Sequence, residues 1–180
     1  MFKLFLTILG ICFILPTVAA TQQAGITTLI ADHNDGFDSV WQRRPYYGKS
    51  TWGIRGSNQL EEGWMWFDHF PGVSGFYCVT AGVVLENDGS SKFSLRIGNQ
   101  ATIESYLPFA HGAKKDCNRR GKPARVGLGR VFIDHMDRVS VFGRSDYACG
   151  LQKGGAYALW YELKFTPSAL ENECVVGHQH

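Results

Sequence analysis

GFYCVTAGVVLENDGSSKFSLRIG, residues 75–98, decides the fold class. From Phe76 to Val84 the chain is apolar in both alternating registers. Phe76, Cys78 and Val84 lie on one side, and Tyr77, Val79, Ala81 and Val83 on the other. A strand covered on both faces belongs at the centre of a sheet or sandwich. Asn87-Asp88-Gly89-Ser90 is a turn cluster able to supply positive φ. Beyond it Phe93, Leu95 and Ile97 alternate with Lys92, Ser94 and Arg96, the pattern of a half-buried strand. The stretch predicts a β-hairpin, and with it an antiparallel all-β protein.

Working outward, the same period of two recurs. Ile26 to Ala31 and Thr51 to Arg55 are short strand candidates. Trp64, Trp66 and Asp68 alternate with Met65, Phe67 and His69. Downstream, Ala101 to Ser105, Arg125 to Asp134, Arg138 to Phe142 and Ala156 to Thr166 read as strands. In the last, Tyr157, Leu159, Tyr161, Leu163 and Phe165 form the apolar register and Trp160 shares the other with Glu162 and Lys164. Helical periodicity is scarce, and Gly and aromatic residues are frequent, which suits a sandwich or barrel. The fold expectation is an antiparallel β-sandwich of jelly-roll form.

Residues 1–20 read as a secretory signal: Lys3, an apolar run from Leu4 to Leu15, Pro16, then Val18-Ala19-Ala20 before the cut. The run is shorter than the roughly 20 residues a membrane span needs, and no other stretch approaches that length. Secretion, to an extracellular or periplasmic space, is therefore expected. Residues 21–170 would form one β-sandwich domain and 171–180 a polar C-terminal tail. Without Lys3, 17 of the 18 basic residues face 16 acidic ones, so net charge selects no partner class. Cys78, Cys117, Cys149 and Cys174 remain after Cys12 leaves, an even count suited to disulfides. An antiparallel trace from residue 75 onward puts the long loops 106–124 and 143–155 at the same end. Cys117 and Cys149 are expected to bond there, leaving Cys78 to Cys174.

That end collects the candidate chemistry. The segment 111–125 holds Lys114, Lys115, Arg119, Arg120, Lys122 and Arg125 against Asp116 alone, with Tyr106 and Phe109 just before it. Tyr147 and Lys153 lie in the opposing loop. Aromatic faces stack on sugar rings, and cations pair with carboxylate or sulfate. Tyr106, Tyr147 and Trp160 are the candidate stacking residues, with Lys114, Lys115, Arg119 and Arg120 the candidate polar contacts. A solvated charged loop and a core role for Trp160 are the plainer alternatives. Trp41, Tyr46 and Tyr47 read better as a plug over one end of the sandwich than as ligand contacts.

Asp32, Asn34, Asp35 and Asp38 are candidate Ca²⁺ ligands around Gly36. The spacing misses the EF-hand pattern, and an Asx-rich turn explains the same residues. No G-x-S-x-G element appears, and Glu61 and Glu62 are adjacent, which does not set carboxylates across a sugar bond. No nucleic-acid module is recognisable, so the basic patch argues for acidic glycans.

Part of the chain, Gly63 to Pro167, resembles the galactose-binding-like jelly rolls, especially carbohydrate-binding modules of the family 6 and 35 type. The resemblance rests on Gly63-Trp64-Met65-Trp66-Phe67, Gly75-Phe76-Tyr77-Cys78-Val79-Thr80, the turn and strand from Asp88 to Leu95, Asp137-Arg138-Val139-Ser140-Val141, and the closing strand 156–166. It implies a two-sheet sandwich binding glycans at its loop end or concave face, often beside a structural Ca²⁺. Ala31-Asp32 stands where such modules usually have Ala-Glu. The combined expectation is a secreted, non-catalytic carbohydrate-binding module, with acidic polysaccharide as ligand. The alternatives are an extracellular structural or adhesive subunit that binds other protein chains or itself, and a small polysaccharide hydrolase or lyase.

Overall fold

The structure, a computed structural model, describes residues 25–46, 48–56, 60–112, 114–118, 120–150, 155–174 and 176–179. The proposed signal, Tyr47, Arg119 and Lys153 lie outside the described residues. The strands are β1 (Thr27–Ile30), β2 (Gly36–Phe37), β3 (Trp41–Arg43), β4 (Trp52–Ile54), β5 (Glu62–Phe67), β6 (Gly75–Leu85), β7 (Lys92–Ile97), β8 (Ile103–Tyr106), β9 (Lys122–Ile133), β10 (Val139–Arg144), β11 (Trp160–Pro167) and β12 (Val176–Gln179). They make two antiparallel sheets. The larger has seven strands in the order β12-β9-β6-β11-β4-β3, with β1 also on β11; the smaller has five, β2-β5-β10-β7-β8. The all-β antiparallel sandwich is as expected.

Its core lies between the sheets. Tyr77, Val79, Ala81 and Val83 of β6 and Leu163 and Phe165 of β11 face Met65, Phe67, Phe93, Leu95, Ile97, Val139 and Val141 of the smaller sheet. Period-two alternation therefore holds on the inner faces.

The hairpin reading is corrected. β6 pairs with β9 and β11, whereas β7 pairs with β10 and β8, so the two strands lie in opposite sheets. Residues 86–91 form an arch from one sheet to the other. Asn87, Gly89 and Ser91 on it are buried, and Gly89 has no positive φ. Glycine serves here for close approach: a Cβ would stand 2.5 Å from the Asp146 carbonyl oxygen. A crossing lets the doubly apolar β6 sit mid-sheet while β7 presents one face to the core and the other outward.

The Trp160 register is corrected too. β11 carries a bulge between Trp160 and Glu162, and Tyr161 is the extra residue. One added residue reverses the facing of everything before it. Trp160 turns inward, 0% exposed, with ring centroids 6.3 Å from Phe67 and 6.2 Å from Phe93. It is a core residue and not a stacking platform. Trp41 is also buried, against Gly143, in keeping with the plug reading. The polar tail, finally, contributes a strand: β12 pairs with β9 at the sheet edge.

Candidate functional site

The arch at 86–91 organises one end of the sandwich. Both long loops hydrogen-bond to it: Ala110 N–H donates to the Glu86 carbonyl at 3.1 Å, Asp116 N–H to Asn87 at 3.0 Å, Leu107 N–H to Ser91 at 2.9 Å, and Cys149 N–H to Asp88 at 3.2 Å. Cys117–Cys149 joins the loops and Cys78–Cys174 ties β6 to the tail. Both pairings match the antiparallel trace. Two disulfides fit an oxidising compartment.

Beneath the arch Glu86 is half-buried, and its carboxylate accepts the Tyr157 N–H at 2.6 Å. Burial pushes its carboxyl well above the ordinary range, against the pull of that N–H, and Asp88 adds to the rise. Asp88 is itself raised by burial and by the charge of Asp146.

Where β7, β8 and β10 meet this end, a cavity of about 380 Å³ opens to solvent. The ladders place its walls. Arg144 lies opposite Lys92, and Lys92 opposite Tyr106, in one row across three strands. Ser90, Ser145 and Asp146 close it from the arch and the second loop, and Leu60 from a third segment. Tyr106 is 55% exposed. Most polar walls are already fixed. Asp146 accepts the Ser90 N–H at 2.6 Å, Ser90 Oγ donates to the Leu107 carbonyl at 2.8 Å, and Lys92 pairs with Glu104 at 2.5 Å. Arg144 has no carboxylate partner among the described residues. The result is a pre-set shelf with one exposed aromatic ring, one available guanidinium and several hydroxyls, the groups that meet a polyhydroxylated ring.

The other expected residues divide. Lys114, Lys115 and Arg120 are exposed on the stapled loop, with Lys115 Nζ donating to the Ala148 carbonyl at 2.7 Å. Tyr147 is half-buried, packed edge-on against Tyr157 at 6.3 Å; burial first, then Tyr157, raises its phenol. It therefore belongs to the loop packing. Lys122 and Arg125 lie on β9, where Arg125 pairs with Glu162 at 2.6 Å.

The Ca²⁺ set does not converge. Asp32 meets Arg43 at 2.9 Å and Trp52 Nε1 at 2.7 Å; burial pushes its carboxyl up, but hydrogen bonds from Ser50, Trp52 and Arg43 prevail and lower it. Asn34 donates to the Ala31 carbonyl at 2.8 Å, Asp35 accepts the Asp68 N–H at 2.7 Å, and Asp38 the Trp64 N–H at 2.7 Å. The four side chains serve separate partners, Asp32 more than one, and do not turn toward a common point. Among the described residues no group of three or more His, Cys, Asp or Glu is placed to hold a metal. No helix among them is long and apolar enough to cross a membrane.

Lys92, Arg144 and Asp146 were missed as site residues. The alternation of Lys92 against Phe93 placed Lys92 on an outer face, but only the strand order brings it beside Tyr106.

No known family pattern matches the chain, and no curated protein does. Similar solved structures exist at low identity. The C-terminal CBM6 of LamC, a marine laminarinase from Zobellia galactanivorans, aligns at TM-score 0.52 and 15% identity over 79% of this chain and 99% of its own. A GH26-CBM35 β-(1,4)-mannanase of Podospora anserina gives 0.52 and 16%, over 82% of this chain and 29% of its own. A Cry1Da tryptic core variant of Bacillus thuringiensis gives 0.55 and 11%, over 81% and 24%. The chain thus spans under a third of the mannanase and the Cry1Da core. These likenesses show the fold alone: an antiparallel β-sandwich like that of the family 6 and 35 modules, as the resemblance implied.

Proposed function

We propose that this protein is a secreted carbohydrate-binding module whose ligand sits in the cavity beside Tyr106. The observation that supports this reading is an exposed aromatic ring at the mouth of a polar cavity whose walls are held in place by their own hydrogen bonds. A wall ordered before binding loses little freedom on binding. Tyr106 stacks on a sugar ring, Arg144 and Asp146 take its hydroxyls, and Lys114, Lys115 and Arg120 on the neighbouring loop favour acidic polysaccharide. The likeness to the LamC module supports the reading through the fold alone. The test is affinity electrophoresis against neutral, carboxylated and sulfated polysaccharides, with Tyr106→Ala beside the unaltered protein. Retardation that disappears in the variant is the expected result. Equal retardation of both proteins removes Tyr106 from the site.

A second reading, an extracellular subunit that binds protein chains, is favoured by one feature. Phe76 and Phe132 stand 46% and 39% exposed on the larger sheet, rings 5.1 Å apart. A mass that grows with concentration in light scattering, with no glycan retardation, selects it.

A further inference from the structure

The outer face of the smaller sheet carries a second cavity, of about 650 Å³, away from the arch. The registers define that face. Trp66, Ser140 and Arg96 form one row, and Trp64, Phe142 and Ser94 the next. Two guanidiniums are laid over tryptophans there. Arg96 lies 4.3 Å from the Trp64 ring centroid and Arg138 5.6 Å from that of Trp66. Arg138 continues the ladder beyond β10, since Gly98 N–H donates to its carbonyl at 2.8 Å. Arg138 and Arg96 are therefore diagonal neighbours, rooted roughly 7–8 Å apart, with Ser140 between them. The cavity is lined by these two arginines, Ser140 and the turn residues Asn99, Gln100 and Thr102, and among the described residues no carboxylate lines it.

The acidic groups nearby are already engaged. Asp68 holds one N–H of Arg138 at 2.6 Å in a pair whose side chains are 55% and 42% exposed. Such an exposed pair is weak and leaves the other guanidinium donors open. Asp137 accepts the Asp134 N–H at 2.9 Å. Arg96 has no carboxylate partner among the described residues. Stacking on tryptophan orients both planar forks before any ligand arrives.

We propose that this cavity is a second ligand site, selective for an oxyanion: a carboxylate or sulfate carried on an extended ligand and bridged by Arg96 and Arg138. It stands apart from the Tyr106 cavity. Lys92 and Gly98, which mark the two cavities on and just beyond β7, are six residues apart, about 20 Å of strand. The site therefore holds or fails whether or not Tyr106 binds sugar.

The test titrates the protein with polygalacturonate, dextran sulfate and uncharged dextran, reading tryptophan emission and calorimetric affinity. Arg96→Gln with Arg138→Gln, Arg96→Lys, and Tyr106→Ala are compared, each first shown to melt as the unaltered protein does. At least one anionic polymer is expected to bind and to shift tryptophan emission as its anion settles beside the Arg96–Trp64 stack, while dextran leaves it unmoved. The double variant loses on the order of tenfold or more in affinity, the value of a charge-assisted hydrogen bond. Arg96→Lys, which keeps charge without the planar fork, falls between. Tyr106→Ala keeps the emission shift. Dependence on the arginines with polygalacturonate alone identifies a carboxylate ligand, and with dextran sulfate alone a sulfate. No binding of either polymer, or equal binding by the double variant, overturns the proposal.

Discussion

Replacing Cys117 and Cys149 by alanine removes the bond joining the two long loops, and its effect follows from sequence separation. The cysteines are 32 residues apart. The loop-closure relation gives a loss of about 3.7 kcal/mol at 25 °C for that separation. For a chain of this size each kcal/mol lowers Tm by roughly 2–4 °C, so a fall of about 7–15 °C is expected. Cys78–Cys174 closes 96 residues and should be worth about 4.7 kcal/mol. The loops keep their hydrogen bonds to the arch, Asp116 to Asn87 and Cys149 to Asp88. Below the melt the double variant should therefore retain glycan affinity within a few-fold. Differential scanning calorimetry reads the first quantity and isothermal titration the second. A fall of under about 3 °C would show that the loops are held by packing instead of the bond. Unchanged melting with lost binding would show that the disulfide shapes the site directly.

Three further outcomes follow. Trp160→Ala should cost about 3–5 kcal/mol, as for a large buried aromatic, measured by urea unfolding, while the folded variant binds glycan normally. Tyr106→Ala, at an exposed position, should change stability by no more than about 0.5 kcal/mol and abolish glycan retardation. Glu86 supplies a pH dependence. Burial raises its folded-state pKa above the unfolded value, so the folded protein holds this proton more tightly. Its contribution is complete below the unfolded carboxyl pKa and is lost as pH rises through the raised value. Glu86→Gln, which keeps an oxygen for the Tyr157 N–H, should flatten that decline and be the more stable form at neutral pH; a denaturation series across pH that leaves the slope unchanged excludes Glu86 as its source.

Strands with clean period-two alternation were legible in the sequence. The apolar registers of β7 and of the Leu163–Phe165 end of β11 lie in the core as their patterns indicate, although Ser94 in the other register of β7 is buried as well. Counting antiparallel directions was enough to pair the cysteines. The link between β6 and β7 was not legible, because Asn-Asp-Gly-Ser suits a tight turn and a sheet crossing equally. What separates them is the burial of Asn87 and Ser91, a tertiary fact. Trp160 escaped because a bulge changes parity without any mark in composition. The Tyr106 cavity was half legible: Tyr106 was singled out as an aromatic beside a basic loop, but Lys92, Arg144 and Asp146 join it only through strand order. The acidic run at 32–38 shows the converse, since a suggestive pattern resolved into unrelated contacts.

The central claim is that the shelf beside Tyr106 binds carbohydrate. The measurement that tests it most directly is calorimetric titration of the protein and of Tyr106→Ala with soluble neutral and acidic oligosaccharides, at two salt concentrations. Saturable binding by the unaltered protein that Tyr106→Ala loses is the predicted result, with salt sensitivity confined to the acidic ligands. Saturable binding that Tyr106→Ala retains in full, or no binding to any oligosaccharide, contradicts the account.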